Sequence, residues 1–163
     1  MKIIFLDIDG VLNCKQTPNP RKLPYIVDPE LVARLRRVIA STGAQVVLTS
    51  TWRYDPAGLF SARHWGVPFI DVTPDLPHEP RCSEICSWLR DNPTVRRYAV
   101  LDDEDDGLDG LPLFQPSSVT GLTDNMAKGL EDYLNGKTDR DMRAGRLTRL
   151  FQNLRGILTR HKG

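Results

Sequence analysis

Lys2-Ile3-Ile4-Phe5-Leu6-Asp7-Ile8-Asp9-Gly10-Val11-Leu12 is the stretch whose reading decides the fold. An apolar run with β-branched and aromatic residues leads into two aspartates one residue apart, and a glycine follows at once. The run predicts a buried strand, and Gly10 predicts the turn by which the chain leaves it. Charged groups are costly to bury unless paired or metal-bound. Two carboxylates at the C-terminal end of a central strand therefore ask for a cation. In an open α/β sheet that end is also where ligands bind. The bland alternative is a strand that ends in an Asx turn, and the rest of the chain has to decide.

Outward from this stretch, Asn13 to Pro24 is polar and proline-rich and reads as a loop. Asp28-Pro29-Glu30 is a helix start, with Asp as N-cap and Pro at the first helical position. Leu31, Leu35, Val38 and Ile39 recur at helical spacing until Gly43. Ala44 to Leu48 predicts a second strand, and Asp55 to His64 a short helix capped by Asp55. Val67 to Asp71 reads as an edge strand because Pro68 cannot donate to a ladder. Ser83 is the expected cap of a helix carrying Ile85, Trp88 and Leu89 inward. Arg97 to Leu101 is a fourth strand, Leu111 to Phe114 a fifth, and Thr123 caps a last helix that Gly136 ends. Strands alternating with helices imply an α/β domain, Rossmann-like, with an open, mostly parallel sheet and helices on both faces.

Three clusters then fall at strand C-terminal ends: Asp7/Asp9, Thr49-Ser50-Thr51 and Asp102-Asp103. The pattern alone suggests one cleft that receives all three. Glu104, Asp105, Asp106 and Asp109 read as a solvated acidic loop, with Asp106 the one to check for support of the site. His64 and His78 have no metal-ligand spacing.

The chain of 163 residues is long enough for one core without staples. Its 40% hydrophobic and 26% charged residues fit an ordinary globular protein and argue against disorder. No run is long and apolar enough to span a bilayer. The chain passes from Met1-Lys2 straight into the first strand, so no signal peptide is expected. Three cysteines, Cys14, Cys82 and Cys86, read as reduced thiols, and the expected location is cytoplasmic. Charge is uneven: residues 137–163 hold eight Lys/Arg and two Asp, a net of +6, so the preceding 136 residues carry −5 in a chain of net +1. Two units are expected, an acidic folded domain over 1–136 and a basic amphipathic helix over 137–163. In the latter, Leu147, Leu150, Phe151, Leu154, Ile157 and Leu158 form an apolar stripe among arginines. Three partners suit such a helix: the body of the protein, a second subunit, or nucleic acid.

Asp7-Ile8-Asp9-Gly10-Val11-Leu12 resembles the first motif of the haloacid dehalogenase (HAD) superfamily of phosphohydrolases. Ser50, closing an apolar strand, resembles the second motif, with Thr49 and Thr51 as alternatives one residue away. Arg81 stands for the basic third motif, an arginine where lysine is more usual, and Leu101-Asp102-Asp103 resembles the fourth. Chain order matches throughout residues 1–136. The resemblance implies an Mg²⁺-dependent phosphatase in which Asp7 attacks phosphorus to form an aspartyl-phosphate. It implies that Asp9 protonates the leaving oxygen and then activates water. It further implies that Ser50 holds a phosphoryl oxygen, that Arg81 balances phosphoryl charge, and that the metal takes the Asp7 side chain, the Asp9 main-chain carbonyl, and Asp102 or Asp103. Thr49-Ser50-Thr51-Trp52-Arg53, Ser83 to Leu89 and Gly121-Leu122-Thr123 are similar to a group of small HAD domains that also occurs fused to nucleic-acid repair modules. On that resemblance Thr51 and Arg53 join the substrate-binding set, while Trp52 reads as core. The gaps between motifs leave no room for a sizeable cap, which suits a bulky phosphorylated substrate such as a nucleic-acid end, or a nucleotide. The rival readings are a phosphatase of another small phosphomonoester and a non-catalytic nucleic-acid-binding module with the same fold.

Overall fold

The computed structural model describes residues 1–105 and 107–137. Asp106 and the basic segment from 138 onward lie outside the described residues, and with them the expected helix over 137–163.

Five strands form one sheet: β1 (Lys2–Leu6), β2 (Gln45–Leu48), β3 (Asp71–Val72), β4 (Arg97–Leu101) and β5 (Leu113–Phe114). All pairs are parallel, in the order β3-β2-β1-β4-β5. Among the described residues four α-helices flank it: α1 (Pro29–Thr42), α2 (Pro56–His64), α3 (Arg81–Asp91) and α4 (Asp124–Leu134). Period-two alternation in β1 divides the core. Ile4 and Leu6 join Leu35, Ala62 and Leu130 of α1, α2 and α4 on one face. Ile3 and Phe5 join Ile85 and Trp88 of α3 on the other. The sheet is therefore buried on both sides, which is why β1 reads as a continuous apolar run.

Local chemistry sets the helix ends. Asp28 Oδ1 accepts the Glu30 N–H at 2.9 Å, and Pro29 follows at the first helical position. Gly43 closes α1 at φ +66°, a left-handed conformation that glycine adopts at little cost. Asp55 and Thr123 cap α2 and α4 as expected. Three boundaries differ from the expectation. β3 is Asp71–Val72, beyond Val67 and Pro68, because Pro68 has no N–H and pairing starts only when the Ile70 N–H reaches Val46 O at 2.9 Å. β5 is the two residues Leu113–Phe114, past Pro112. α3 begins at Arg81 with no side-chain cap; Ser83 lies inside the first turn and donates its hydroxyl to Glu79. That earlier start puts Arg81 at the very N-terminus of α3. Among the described residues no helix is long and apolar enough to cross a membrane.

The strand order opens a crevice beside β1. The chain moves from β1 outward through β2 to β3, then returns across the sheet to β4 on the other side of β1. Connections leave β1 and β4 toward opposite faces, so the crevice lies between their C-terminal ends.

Candidate active site

Asp7 is the first residue beyond β1 and Asp102 the first beyond β4. The ladder still holds both: Asp7 N–H donates to Leu101 O at 2.9 Å, and Asp102 N–H to Phe114 O at 3.2 Å. On the other side of β1, Thr49 N–H donates to Leu6 O at 2.8 Å. The three clusters read from the sequence thus share one row at the mouth of the crevice.

Asp7, Asp102 and Asp103 each offer a carboxylate oxygen, and the three atoms lie within 4.8 Å of one another. Asp102 is fully buried and Asp7 nearly so. Arg81 reaches in from the start of α3, pairing with Asp102 Oδ2 and standing 3.9 Å from Asp7 Oδ1. One guanidinium thus meets two of the three carboxylates. The carboxyl of Asp7 is pushed up to about 7, first by burial and then by the charge of Asp102; Arg81 and a hydrogen bond from Ser50 pull the other way. Asp103 is also raised, by burial and then by Asp102 and Glu104. Gly10 makes room for this: its φ is +71°, and a Cβ there would collide with the Asp103 carboxylate. An all-oxygen donor set carrying surplus negative charge fits a hard cation such as Mg²⁺.

Asp9 does not join that cluster through its carboxylate. Asn13 Nδ2 donates to one oxygen at 2.7 Å and Trp52 Nε1 to the other at 2.8 Å. The carboxylate is held beside the cluster and remains exposed. Asn13 also accepts the Gly10 N–H and donates to Ile26 O, so its amide is fixed.

Of the three hydroxyls after β2, Ser50 is the one bonded to Asp7. Ser50 Oγ also accepts the Trp52 N–H at 3.4 Å and so starts a one-turn 3₁₀ helix, Thr51–Tyr54. Thr49 is fully buried and its hydroxyl has no hydrogen-bond partner; Thr51 is exposed on the first residue of the turn.

Arg53 is a correction. Expected on a substrate phosphate, it is turned into the protein, where its side chain is 3% exposed. Its guanidinium donates to the carbonyls of Thr49 and Ser50 and to Glu84, and Tyr54 Oη donates to the other oxygen of Glu84 at 2.9 Å. The physical reason is charge balance: Glu84, on the inner face of α3, is nearly fully buried and needs a cation. Glu84 and Asn13 are the residues that sequence reasoning missed. A signal existed for each. Glu84 lies four residues before Trp88, on the apolar face of its helix; Asn13 lies four residues after Asp9, just past the glycine turn.

The remaining acidic residues Glu104, Asp105 and Asp109 are exposed, as are His64 and His78. Asp106, singled out as possible support for the site, is outside the described residues. The model of the HAD domain in Swiss Army Knife RNA repair proteins matches residues 3–127, a span that holds every residue of this site. The search of curated proteins finds no match.

Proposed function

This chain belongs to the family of HAD domains in Swiss Army Knife RNA repair proteins, and on that premise we propose that it is an Mg²⁺-dependent phosphomonoester hydrolase that works through an aspartyl-phosphate on Asp7. Membership gives a HAD-type, phosphatase-like function. The observation that carries the finer reading is the surplus charge at the mouth of the sheet: three converging carboxylates against one arginine.

An Asp7 oxygen attacks phosphorus in line with the leaving oxygen. As that bond forms and the phosphorus–oxygen ester bond breaks, Asp9 gives its proton to the leaving oxygen. Arg81 and the Ser50 hydroxyl hold phosphoryl oxygens, and their charge and dipole are set before the substrate arrives. Asp9, now a carboxylate, takes a proton from water as the water oxygen attacks the phosphoryl group. Phosphate leaves and Asp7 is restored. Mg²⁺, when bound by Asp7, Asp102, Asp103 and the main-chain carbonyl of Asp9, supplies positive charge that offsets repulsion between a carboxylate nucleophile and an anionic phosphate.

For the substrate we propose a nucleic-acid terminal phosphate or a nucleotide. Two features support this. The family is one of RNA repair proteins. The described segments between the motifs hold only a loop with α1, and α2 with the short β3, so no cap covers the crevice. The domain over residues 1–136 is the catalytic unit in this reading, and the basic segment 137–163 is an appendage available for nucleic acid.

Phosphate release from a panel tests the proposal: an aryl phosphate, mononucleotides, and oligoribonucleotides with 3′ or 5′ phosphates, with Mg²⁺ and with EDTA. Mg²⁺-dependent release that ranks the nucleic-acid ends first is the expected result. Ranking an unrelated small phosphomonoester first refutes the substrate class. No turnover of any ester favours the non-catalytic binding module.

A further inference from the structure

The geometry points to Trp52 as the positioning residue that holds Asp9 in line with the leaving oxygen, with Asn13 as its counterpart on the other side. The inference rests on the reading of Asp9 as the group that moves the proton.

Asp9 has an exposed side chain on a turn between two buried residues, Ile8 and Val11. Left alone, such a carboxylate samples several staggered rotamers. General acid catalysis needs the proton within hydrogen-bond reach of the leaving oxygen. Here each oxygen is gripped once, by Trp52 Nε1 at 2.8 Å and by Asn13 Nδ2 at 2.7 Å. A carboxylate has about four lone-pair sites, so one site on each oxygen stays open for the proton. The grip fixes direction without consuming the function.

Trp52 is itself immobile. It is 3% exposed, and the only polar atom of its side chain is the one bonded to Asp9. The Tyr25 ring meets it edge-on, with centroids 4.9 Å apart, and the Tyr25 hydroxyl is tied to Asp55 at 2.5 Å. Gly58 of α2 lies so close that a Cβ there would be 2.6 Å from the Trp52 carbonyl oxygen. Ser50 Oγ accepts the Trp52 backbone N–H. One short turn therefore ties the hydroxyl on the phosphoryl group to the acid on the leaving group. When the ester bond breaks and the Asp9 proton moves to the leaving oxygen, the two N–H groups face the negative charge left on the carboxylate.

A purely structural tryptophan and a positioning one differ in how loss depends on the leaving group. Trp52→Phe is compared with wild type on 2,4-dinitrophenyl phosphate, whose leaving oxygen needs no proton, and on an alkyl phosphomonoester, whose leaving oxygen does. Replacement of Trp52 by its sulfur isostere benzothienylalanine, which keeps the shape and lacks only the N–H, serves if Trp52→Phe fails to fold. The expected result, read as the single-turnover rate of leaving-group release so that the later Asp9-dependent attack of water does not enter, is about 10–100-fold lower on the alkyl ester and less than about threefold lower on the activated ester. In the Asp9→Asn background, Trp52→Phe is then expected to cost nothing further on the alkyl ester. Equal losses on both esters, or no loss on the alkyl ester, overturn the inference while the phosphatase reading stands. The alkyl ester is one that wild type turns over in the panel above; if wild type hydrolyses no ester of that panel, the phosphatase reading falls and this inference with it.

Discussion

Two arginine–carboxylate sites meet at the first turn of α3, and they differ in whether their charges cancel. Arg53 and Glu84 form a closed pair with side chains 3% and 5% exposed; two backbone carbonyls and the Tyr54 hydroxyl complete the arrangement. Arg81, three residues before Glu84, meets Asp7 and Asp102, and Asp103 converges on the same two carboxylates. The first site has one charge of each sign, and within it only Arg53 Nε is left without a hydrogen-bond partner among the described residues. It latches α3 to the turn that carries Ser50 and thereby fixes where Arg81 points. The second site has surplus negative charge, and Asp7 is raised there first by burial and then by the charge of Asp102. A balanced buried pair builds structure, whereas an unbalanced one calls for a ligand.

Substitutions can break the contrast from either side. The largest expected effect is on the open site. Asp7→Asn removes the nucleophile and is expected to lower kcat about 10⁴-fold or more, measured as Mg²⁺-dependent phosphate release; substantial residual turnover would return the nucleophile to another residue. At the closed site, Glu84→Ala leaves Arg53 buried without a counter-charge. Chemical denaturation should then read a loss of about 3–5 kcal/mol, and replacing Arg53 and Glu84 together by methionine should restore much of it. If the single variant is as stable as wild type, the pair is not a latch.

The next effect has the opposite sign. In EDTA, folded Asp7 keeps its proton up to about pH 7, whereas its ordinary value is 3.8. Between those values the folded state binds more protons than the unfolded state, so this group's contribution to stability falls as pH rises through that window. Asp7→Asn should therefore be more stable than wild type by roughly 2–4 kcal/mol at pH 8, and the gap should close toward pH 5. Thermal unfolding across pH reads this directly; a gap that does not change with pH would mean that Asp7 is not under electrostatic load. The smallest effect concerns the arginine itself. Arg81→Lys keeps the charge but loses the planar guanidinium whose Nη1 serves both Asp102 and Asp7, and kcat/KM is expected to fall about tenfold. An equal or higher value would show that a point charge suffices.

Much of the site was legible before any coordinate. Asp7, Asp102 and the Ser50 turn close three apolar strands, and parallel strands bring their C-terminal ends to one edge. Arg81 was legible only as a basic residue in the right interval. Arg53 misled, because an arginine beside a candidate phosphate-binding serine looks the same in sequence whether it faces outward or inward. Its direction was decided by Glu84, 31 residues away along the chain. Trp52 read as core, and its ring is buried, but the use of its indole N–H on Asp9 depends on a partner 43 residues distant. β3 and β5 fell a few residues from their expected places because strands of two residues carry almost no periodicity.

By itself, then, the sequence determined the alternation of strands and helices, the capped helix starts at Asp28, Asp55 and Thr123, and the acidic and hydroxyl residues at the strand ends. These follow from local rules: apolar period, N-cap hydrogen bonds and the conformational freedom of glycine. Only the tertiary structure decided which charges share a space. It brought three carboxylates together with a guanidinium on two of them, spent a second guanidinium on a buried glutamate, and hung the exposed Asp9 between an indole and an amide. Coulombic and hydrogen-bond energies depend on distance and burial in space, and neither is written in the separation of residues along the chain.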